Sequence, residues 1–452
     1  MTNELKLIIV SACSFLPAIS FSQERSFPKD PNILFILVDD LGYGDLSCQQ
    51  SAKDIQTPNI DMLLNKGIRF TNLYSNSPVS SPSRAALLTG RYPDMVGVPG
   101  VVRPQKEDNW GYFSENAILL PQMLKQKNYH TALVGKWHLG YEAPNVPTLR
   151  GFDYFHGFLG GMVDNYYEHT RFGLKLMREN LEEICPQGHC TDIFTDWAIQ
   201  YITARKEEKN PFFLYLAYNA PHSPLQPPKE WLDKVKKREP SISEKRAKLV
   251  ALIEHLDYSI GQVYKMLESN KMLENTLIVF ASDNGGQADC EANNLPFRGA
   301  KEDMYEGGIH VAGGAYWKGQ IQPEVNDHFV MLSDFFPTLC ELTGTPVTHK
   351  IDGVSVLPLL KGEKQVTNDR MVYWVRREGN FRYGGKDYYA ARQNDYKILQ
   401  NTPWEPIEFF NIKEDPQEKN PIKERSSDTY KTLFKGMMEH IRQAGMVPWQ
   451  KE

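Results

Sequence analysis

The chain of 452 residues contains only 6 cysteines, and it has no internal repeat, low-complexity tract or block of like charge. Its net charge of −5 argues against a nucleic-acid binder, because a phosphate backbone calls for a basic protein surface. Beyond the N-terminal region, no apolar run approaches the ~18 residues that a membrane span requires. The apolar fraction of 41% is sufficient for one large core or two smaller ones.

The cysteines show no spacing typical of a zinc site. Cys185 and Cys190 bracket a short loop and could close a disulfide in an oxidising compartment. Two unlinked residues in a loop fit the same spacing nearly as well, so both alternatives stay open.

The first 22 residues predict a secretory signal peptide. Lys6 precedes an apolar run to Phe21, and small residues around position 22 suit a cleavage site. Residues 10–13 also resemble a lipoprotein cleavage box that ends at Cys13. The apolar region continues well past Cys13, so a lipid anchor is the less favoured alternative. We therefore expect an exported, periplasmic protein without a membrane span.

Apolar strand patterns alternate with amphipathic helix patterns through most of the chain. Residues 32–38 form an unbroken apolar run, which is typical of a parallel strand covered on both faces. Further strands are predicted at 68–74, 130–134, 212–218 and 276–281, and helices at 58–66, 118–127, 195–205 and 249–267. This alternation predicts a doubly wound α/β domain with a mixed, mostly parallel sheet, over residues 23–361.

The pattern changes after about Lys361. Residues 371–375, 388–392 and 396–400 read as short strands with polar turns, and a helix is predicted at 429–444. We therefore predict a small C-terminal α+β subdomain with an antiparallel sheet over residues 362–452.

Residues 80–91 read SSPSRAALLTGR. Pro82 fits the first turn of a helix, and Gly90 fits its end. Ser80 would then lie just before the helix N-terminus, where free N–H groups favour anions. Arg84 lies one turn further and can point at the same anion. A short S-x-P-x-R string alone is more often a loop before a helix, but the whole run is far rarer by chance.

This run resembles the signature of the formylglycine-dependent sulfatases, C/S-x-P-S-R-x-x-x-L/M-T-G, in the alkaline phosphatase superfamily. The resemblance implies that Ser80 is oxidised to formylglycine (3-oxoalanine), whose hydrate attacks the sulfur of a sulfate ester. Serine at this position is typical of bacterial members, which an anaerobic maturation enzyme modifies. Residues 352–360 and 409–416 resemble closing segments of the same family, so the likeness runs from Asn32 nearly to the end.

Oxygen-bearing side chains follow two of the predicted strands. Asp39 and Asp40 come after the first strand, and Asp283 and Asn284 come after residues 276–281. Ligands sit at such strand ends in open α/β sheets, and oxygen donors select Ca²⁺ or Mg²⁺ over zinc. An adjacent Asp pair alone is more often a turn with helix caps than a metal site. The resemblance implies that these four residues hold one Ca²⁺ together with the formylglycine at position 80.

Three more segments supply cations and proton-transfer groups. Lys136 and His138 are two residues apart, so on extended backbone they would face the same side. His222 lies between two prolines on a stiff turn, which suits a proton donor. The resemblance implies that Lys136 and Lys301 contact the sulfate, that His138 is the base, and that His222 protonates the leaving oxygen.

Two features concern the surroundings of this site. Residues 160–167 resemble a segment near the pocket of glycan sulfatases, which makes Asp164 and Asn165 candidate sugar contacts. His310 and Ala312 stand where the family commonly has Arg and Pro, so the neighbouring pocket wall is not predicted.

The residues together predict a sulfatase that acts on sulfated glycans or their oligosaccharide fragments. One alternative is a phosphate mono- or diesterase of the same superfamily, but such enzymes hold two zinc ions with several histidines. Asn284 stands where a histidine would help to bind the second zinc. The other alternative is a non-catalytic glycan-binding protein, which would be expected to lose some of the Lys, His and Asp set, and none is missing.

Overall fold

The computed structural model describes residues 27–363, 369–378 and 386–451. The predicted signal peptide and Cys13 lie outside these residues. Within them, no helix has both the length and the apolar character needed to cross a membrane.

A ten-stranded mixed sheet forms the centre of the molecule, with a separate four-stranded sheet near the C-terminus. Two further two-stranded pairs complete the strand set. In chain order the strands are β1 (Asn32–Val38), β2 (Ile68–Phe70), β3 (Leu73–Tyr74), β4 (His130–Lys136), β5 (Tyr154–Phe158), β6 (Thr170–Arg171), β7 (Leu174–Lys175), β8 (Met177–Glu179), β9 (Glu182–Glu183), β10 (Phe212–Ala217), β11 (Thr276–Ser282), β12 (Gly313–Tyr316), β13 (Glu324–Asn326), β14 (Val330–Met331), β15 (Val372–Glu378), β16 (Lys386–Gln393), β17 (Tyr396–Gln400) and β18 (Glu408–Asn411).

The strand order of the large sheet is β13-β2-β12-β11-β1-β10-β4-β5-β8-β9. Its five central strands, from β11 to β5, run parallel. Antiparallel pairs flank them, β11 with β12 on one side and β5 with β8 on the other. The predicted doubly wound, mostly parallel α/β fold is therefore confirmed.

Strand β1 shows why its unbroken apolar run was informative. Alternate side chains point to opposite faces of a sheet, and both faces here are covered. Ile33, Phe35 and Leu37 lie in one core. Leu34, Ile36 and Val38 lie in the other.

Helices cover both faces of the sheet. The helix bounds are α1 (Pro58–Lys66), α2 (Ser80–Thr89), α3 (Leu120–Lys125), α4 (Cys190–Ala204), α5 (Lys229–Arg238), α6 (Glu244–Ser269), α7 (Glu306–Ile309), α8 (Phe335–Leu342), α9 (Leu357–Leu360) and α10 (Asp428–Ala444). Those on the Leu34 side are α1, α4, α5 and α6, whereas α2, α3, α8 and α9 lie over the Ile33 side.

Several predicted elements differ from the structure, among them α6, which begins at Glu244 rather than at Leu249. The strand expected at 68–74 is interrupted at Thr71 and Asn72: β2 belongs to the large sheet, whereas β3 pairs with β14. Helix α4 begins earlier than expected, because His189 caps it by accepting the N–H of Thr191. Cys190 is buried at its start, and both it and the exposed Cys185 are unpaired thiols.

The C-terminal sheet, β15-β16-β17-β18, is antiparallel throughout, as expected. Helix α10 packs on it through Leu433 and Met437. The other face of the small sheet meets the large domain, where the indole N–H of Trp374 donates to the carbonyl oxygen of Ser75 at 2.7 Å. Lys397 is fully buried between Glu306 (2.8 Å) and Glu418 (2.9 Å). The small sheet thus supports the loop that leads into α2.

Candidate active site

Helix α2 carries the residues that the sequence singled out. It begins at Ser80 itself rather than one residue later, with Val79 as the extended residue before it. Gly90 ends it in the left-handed conformation (φ 65°), as expected, and its N–H donates to Ala86. All ten residues of the helix are buried, so its N-terminus points into the protein.

The two acidic strand ends meet beside this helix. β1 and β11 are adjacent parallel strands, so Asp39 and Asp40 lie next to Asp283 and Asn284. The backbone N–H of Asp40 donates to Asp283 Oδ1 at 3.3 Å, and the amide N–H of Asn284 donates to Asp40 Oδ1 at 2.8 Å. Carboxylate oxygens of the three aspartates lie within 4.8 Å of one another, in full burial.

The Ser80 hydroxyl lies at this cluster. Its Oγ is 2.8 Å from Asp39 Oδ1 and 3.4 Å from Asn284 Oδ1. The ammonium group of Lys136, at the end of β4, donates to the same Oγ at 3.2 Å. The structure therefore brings together residues from β1, α2, β4 and β11 around one oxygen atom.

Three cations balance the three carboxylates. The Arg84 guanidinium donates twice to Asp283 Oδ2, at 3.0 and 2.8 Å. Lys136 Nζ lies 2.5 Å from Asp39 Oδ2, and Lys301 Nζ lies 2.7 Å from Asp40 Oδ2. These pairs compensate the desolvation that an unpaired buried charge would suffer.

The pKa values in this cluster follow from burial and pairing. Burial alone would raise the pKa of Asp39 and Asp40, but Lys136 and Lys301 respectively bring about a net lowering. For Asp283, burial and the neighbouring Asp39 raise the pKa despite Arg84. Burial lowers the pKa of Lys136 to about 8, although Asp39 opposes this.

His222 lies at the outer side of the cluster. Its Nδ1 is 2.7 Å from the carbonyl oxygen of Ser223, which can only accept, so Nδ1 carries the proton. Its Nε2 faces Lys301 Nζ at 3.1 Å and Asp40 Oδ2 at 3.5 Å. Burial, followed by the Lys301 charge, lowers the pKa of His222. The Nε2 atom is therefore an acceptor that faces the site.

The backbone conformation of His138 differs from the prediction. Its backbone is in the left-handed region (φ 62°), so the extended geometry expected for it and Lys136 is wrong. Its ring packs against Gly161, where an added Cβ would lie 2.2 Å from Nε2. Burial and the charges of Lys136 and Arg84 lower its pKa well below the ordinary value. Among the described residues, its Nδ1 has no hydrogen-bond partner.

Comparison with known proteins places the chain in a family. A family model described as Sulfatase matches residues 31–345, and one described as N-sulphoglucosamine sulphohydrolase, C-terminal, matches residues 300–445. The chain belongs to the sulfatase family. It is a sulfuric ester hydrolase, and the phosphoesterase and non-catalytic alternatives are set aside.

Individual relatives of this sulfatase agree with the assignment. The uncharacterized sulfatase YdeN of Escherichia coli (strain K12) is 32% identical over 78% of this chain and 70% of its own length. N-acetylgalactosamine-6-sulfatase of Homo sapiens is 32% identical over 77% of this chain and 69% of its own. The crystal structure of Ps i-CgsB in complex with k-i-k-neocarrahexaose superposes with a TM-score of 0.84 and 32% identity, covering 94% of this chain and 95% of that one.

Tyr166 is a residue of the sulfatase site that the sequence reasoning missed. Its hydroxyl donates to the carbonyl oxygen of His222 at 2.7 Å and contacts that of Asn219 at 3.1 Å. It therefore fixes the backbone on which the His222 ring is mounted. It belongs to the 160–167 segment, in which the sequence pointed to the polar residues Asp164 and Asn165 instead.

Asp164 and Asn165 lie elsewhere in that segment. Asp164 pairs with Arg171 and accepts the N–H of Phe172, whereas Asn165 Oδ1 accepts the N–H of Tyr167 at 2.8 Å. Both side chains thus have local partners within their own loop. None of their hydrogen bonds or ion pairs in the described chain joins them to the clustered residues, and their role towards a sugar stays a prediction.

His310 lies in the packing behind the site. Its ring stacks on the Phe297 ring with centroids 4.0 Å apart, and the Tyr43 ring lies edge-on with its centroid 5.1 Å away. Its nitrogens reach the carbonyl oxygen of Thr71 (2.8 Å) and the Glu306 carboxylate (3.2 Å). Ala312 lies in the core under the sheet.

The oxygen donors of the cluster match the cation that the resemblance implies. Three carboxylates and one amide oxygen, all fully buried, offer hard ligands. Among the described residues, His222 is the one histidine whose ring nitrogen makes a contact with these carboxylates. The set fits one hard divalent cation and lacks the nitrogen ligands of a two-zinc site.

Proposed function

We propose that this sulfatase hydrolyses sulfate esters of glycans, using a formylglycine made from Ser80 and one bound Ca²⁺. The observation that carries the proposal is the position of Ser80 Oγ, 2.8 Å from Asp39 Oδ1 and 3.2 Å from Lys136 Nζ. A side chain at this point faces both the carboxylate cluster and a cation that suits sulfate oxygens.

The names of two relatives support a glycan substrate. One is an N-acetylgalactosamine-6-sulfatase, and the other was crystallised with a neocarrahexaose. We therefore propose a sulfated carbohydrate as the substrate class.

Asp39, Asp40, Asp283 and Asn284 would hold the cation. When bound, it would supply positive charge that favours an anionic nucleophile and the sulfate group. The formylglycine hydrate would supply two hydroxyl groups on one carbon atom, in place of the single hydroxyl of Ser80.

The remaining side chains have separable tasks. Lys136 and Lys301 present N–H donors to the sulfate oxygens, and Arg84 holds Asp283 in place through its paired N–H groups. A preorganised donor of this kind is typically worth roughly 3 to 4 kcal/mol in a transition state. Once it has bound a second proton at Nε2, His222 delivers that proton to the leaving oxygen, while Ser223 and Tyr166 hold the orientation of the ring. His138, with its lowered pKa, takes up a proton from the nucleophile side.

We further propose that the protein is a serine-type bacterial sulfatase, matured by an anaerobic sulfatase-maturating enzyme and exported to the periplasm. The serine at position 80 and the character of the first 22 residues support this proposal.

Peptide mass spectrometry tests the modification. Protein from an anaerobic host that carries the serine-type maturation enzyme should yield a Ser80 peptide lighter by two hydrogen atoms. The same preparation should contain one hard divalent cation per chain by elemental analysis. Active protein with unmodified Ser80 would refute the nucleophile, and two zinc ions per chain would refute the metal assignment.

A further inference from the structure

A large cleft adjoins the site on its His138 side. Its volume is about 1070 Å³, and its lining comes mainly from residues 102–113, 139–145 and 174–178. Two lining residues, Leu139 and Gly140, directly follow His138. A third, Leu159, accepts the backbone N–H of His138 at 3.1 Å. The cleft and the catalytic site therefore share a wall.

Basic side chains outnumber acidic ones in the lining. The lining contains five basic side chains, Arg103, Lys106, Lys175, Arg178 and Lys451, and three acidic ones, Glu107, Glu142 and Glu183. Lys451 is paired with Glu142 at 2.8 Å, and Arg178 lies 3.7 Å from Glu183. Lys106 and Lys175 are exposed and form no ion pair within residues 27–363, 369–378 and 386–451. Two ammonium groups in the cleft are thus available to an anionic ligand.

Arg103 ties this charge to the catalytic centre. Its guanidinium is held by Glu378 at 2.7 Å, on a strand of the C-terminal sheet. Its charge is among those that lower the pKa of His138, after burial and the charges of Lys136 and Arg84. Positive potential therefore extends from the catalytic residues into the cleft.

Aromatic side chains form another part of the lining. Trp110, Tyr112 and Tyr141 line the cleft. Trp110 stacks on Trp449 with centroids 4.6 Å apart and planes at 12°, which fixes its ring. Aromatic faces beside polar groups suit a ligand that has both C–H and hydroxyl surfaces, as a sugar ring does.

We propose that this cleft binds the sugars next to the sulfated one, in an oligosaccharide that carries at least one further anionic group. Lys106 and Lys175 pair with that second group. The proposal rests on the proposed function, since it names the substrate class of the same site. The preferred substrate is then a multiply anionic chain of sugars rather than a sulfated monosaccharide.

Chain-length kinetics provide the first test. Fragments of two, four and six sugars from one sulfated polymer are compared with the matching sulfated monosaccharide, and kcat/KM is measured for each. The wild type should prefer the longer fragments, with the difference mainly in KM, because binding outside the reacting group is uniform. In Lys106→Ala/Lys175→Ala, the ratio of kcat/KM for hexasaccharide over monosaccharide should fall about five- to tenfold, as expected for two exposed ion pairs.

The matched control removes the same charge elsewhere. Lys209→Ala/Lys265→Ala replaces two exposed lysines that lie outside the cleft lining. Its ratio of kcat/KM for hexasaccharide over monosaccharide should equal that of the wild type. Raising the salt concentration should lower this ratio in the wild type towards that of Lys106→Ala/Lys175→Ala, the cleft variant.

A binding measurement separates this inference from the proposed function. Calorimetry with Ser80→Ala, which lacks the nucleophile, should show tighter binding of the hexasaccharide than of its desulfated counterpart. Sulfate release that is equal for monosaccharide and hexasaccharide, or equal ratios in the cleft and control variants, would overturn the inference alone. Hexasaccharide binding to Ser80→Ala without sulfate release by the matured wild type would support the cleft and overturn the proposed function. An absence of both hexasaccharide binding and sulfate release would overturn the inference and the proposed function together.

Discussion

Replacing His222 by alanine tests the mechanism rather than the mere importance of the residue. His222 Nε2 lies 3.1 Å from Lys301 Nζ and 3.5 Å from Asp40 Oδ2, so it borders the cluster where Lys301 and Asp40 meet. If it protonates the departing oxygen, its contribution depends on how much that oxygen needs a proton. A sugar alkoxide is a very poor leaving group, whereas a nitrophenolate leaves readily without protonation.

General acid catalysis typically contributes ~10²–10⁴-fold, or about 3 to 5 kcal/mol at 1.36 kcal/mol per tenfold change. His222→Ala should therefore lose a factor of this order in kcat/KM with a sulfated sugar. With an activated aryl sulfate that the enzyme accepts, the loss should be much smaller. Steady-state kinetics on both substrates isolate this transition-state effect.

Lys301→Ala provides the matched comparison, because it removes charge stabilisation that both substrates share. It should depress both values of kcat/KM by similar factors. Equal losses on the two substrates for His222→Ala would refute the assignment, since they would mean that His222 binds sulfate and another group is the acid.

Three other substitutions address the metal cluster, the mounting of His222 and the buried charges of the C-terminal sheet. Asp283→Ala should abolish measurable turnover and lower the divalent cation content in elemental analysis, because it removes a ligand and leaves the Arg84 guanidinium without its partner at 2.8 Å. Retained cation with full activity would contradict this. Tyr166→Phe should lower kcat about three- to tenfold while costing about 1 to 3 kcal/mol in urea unfolding, because the His222 and Asn219 carbonyls lose a buried donor. An unchanged kcat would show that the His222 backbone needs no such support. Burial raises the pKa of Glu418 from 4.5 to about 7, so this one residue should contribute a loss of about 3 kcal/mol of stability as the pH rises from 4.5 through 7. Glu418→Gln should flatten that part of the curve of unfolding free energy against pH, and parallel curves for the two proteins would contradict the assignment.

The sequence by itself determined the main secondary-structure elements and the kinds of side chain that the site contains. The unbroken apolar run of β1 predicted a strand covered on both faces, and the structure shows alternate side chains in two cores. Pro82 and Gly90 predicted the extent of α2 to within one residue at its start. These signals are local, because the period of apolar residues and the turn chemistry act over neighbouring positions.

Other features depended on contacts that no local pattern encodes. Tyr166 was missed because its value lies in reaching the carbonyl of His222, 56 positions away. His138 was expected on extended backbone, but its backbone lies in the left-handed region (φ 62°) and its ring packs against Gly161. Asp164 and Asn165 looked available in the sequence, yet their own loop supplies partners for both.

The convergence of the site was decided by sheet order. Asp40 and Lys301 are 261 positions apart and meet at 2.7 Å, because β1 and β11 pair side by side and the segment after β11 folds back over the strand ends. The sequence supplied each charged side chain and its place after a strand. Only the tertiary structure could set which strands are neighbours, since that choice is made by burial of the whole sheet between two layers of helices.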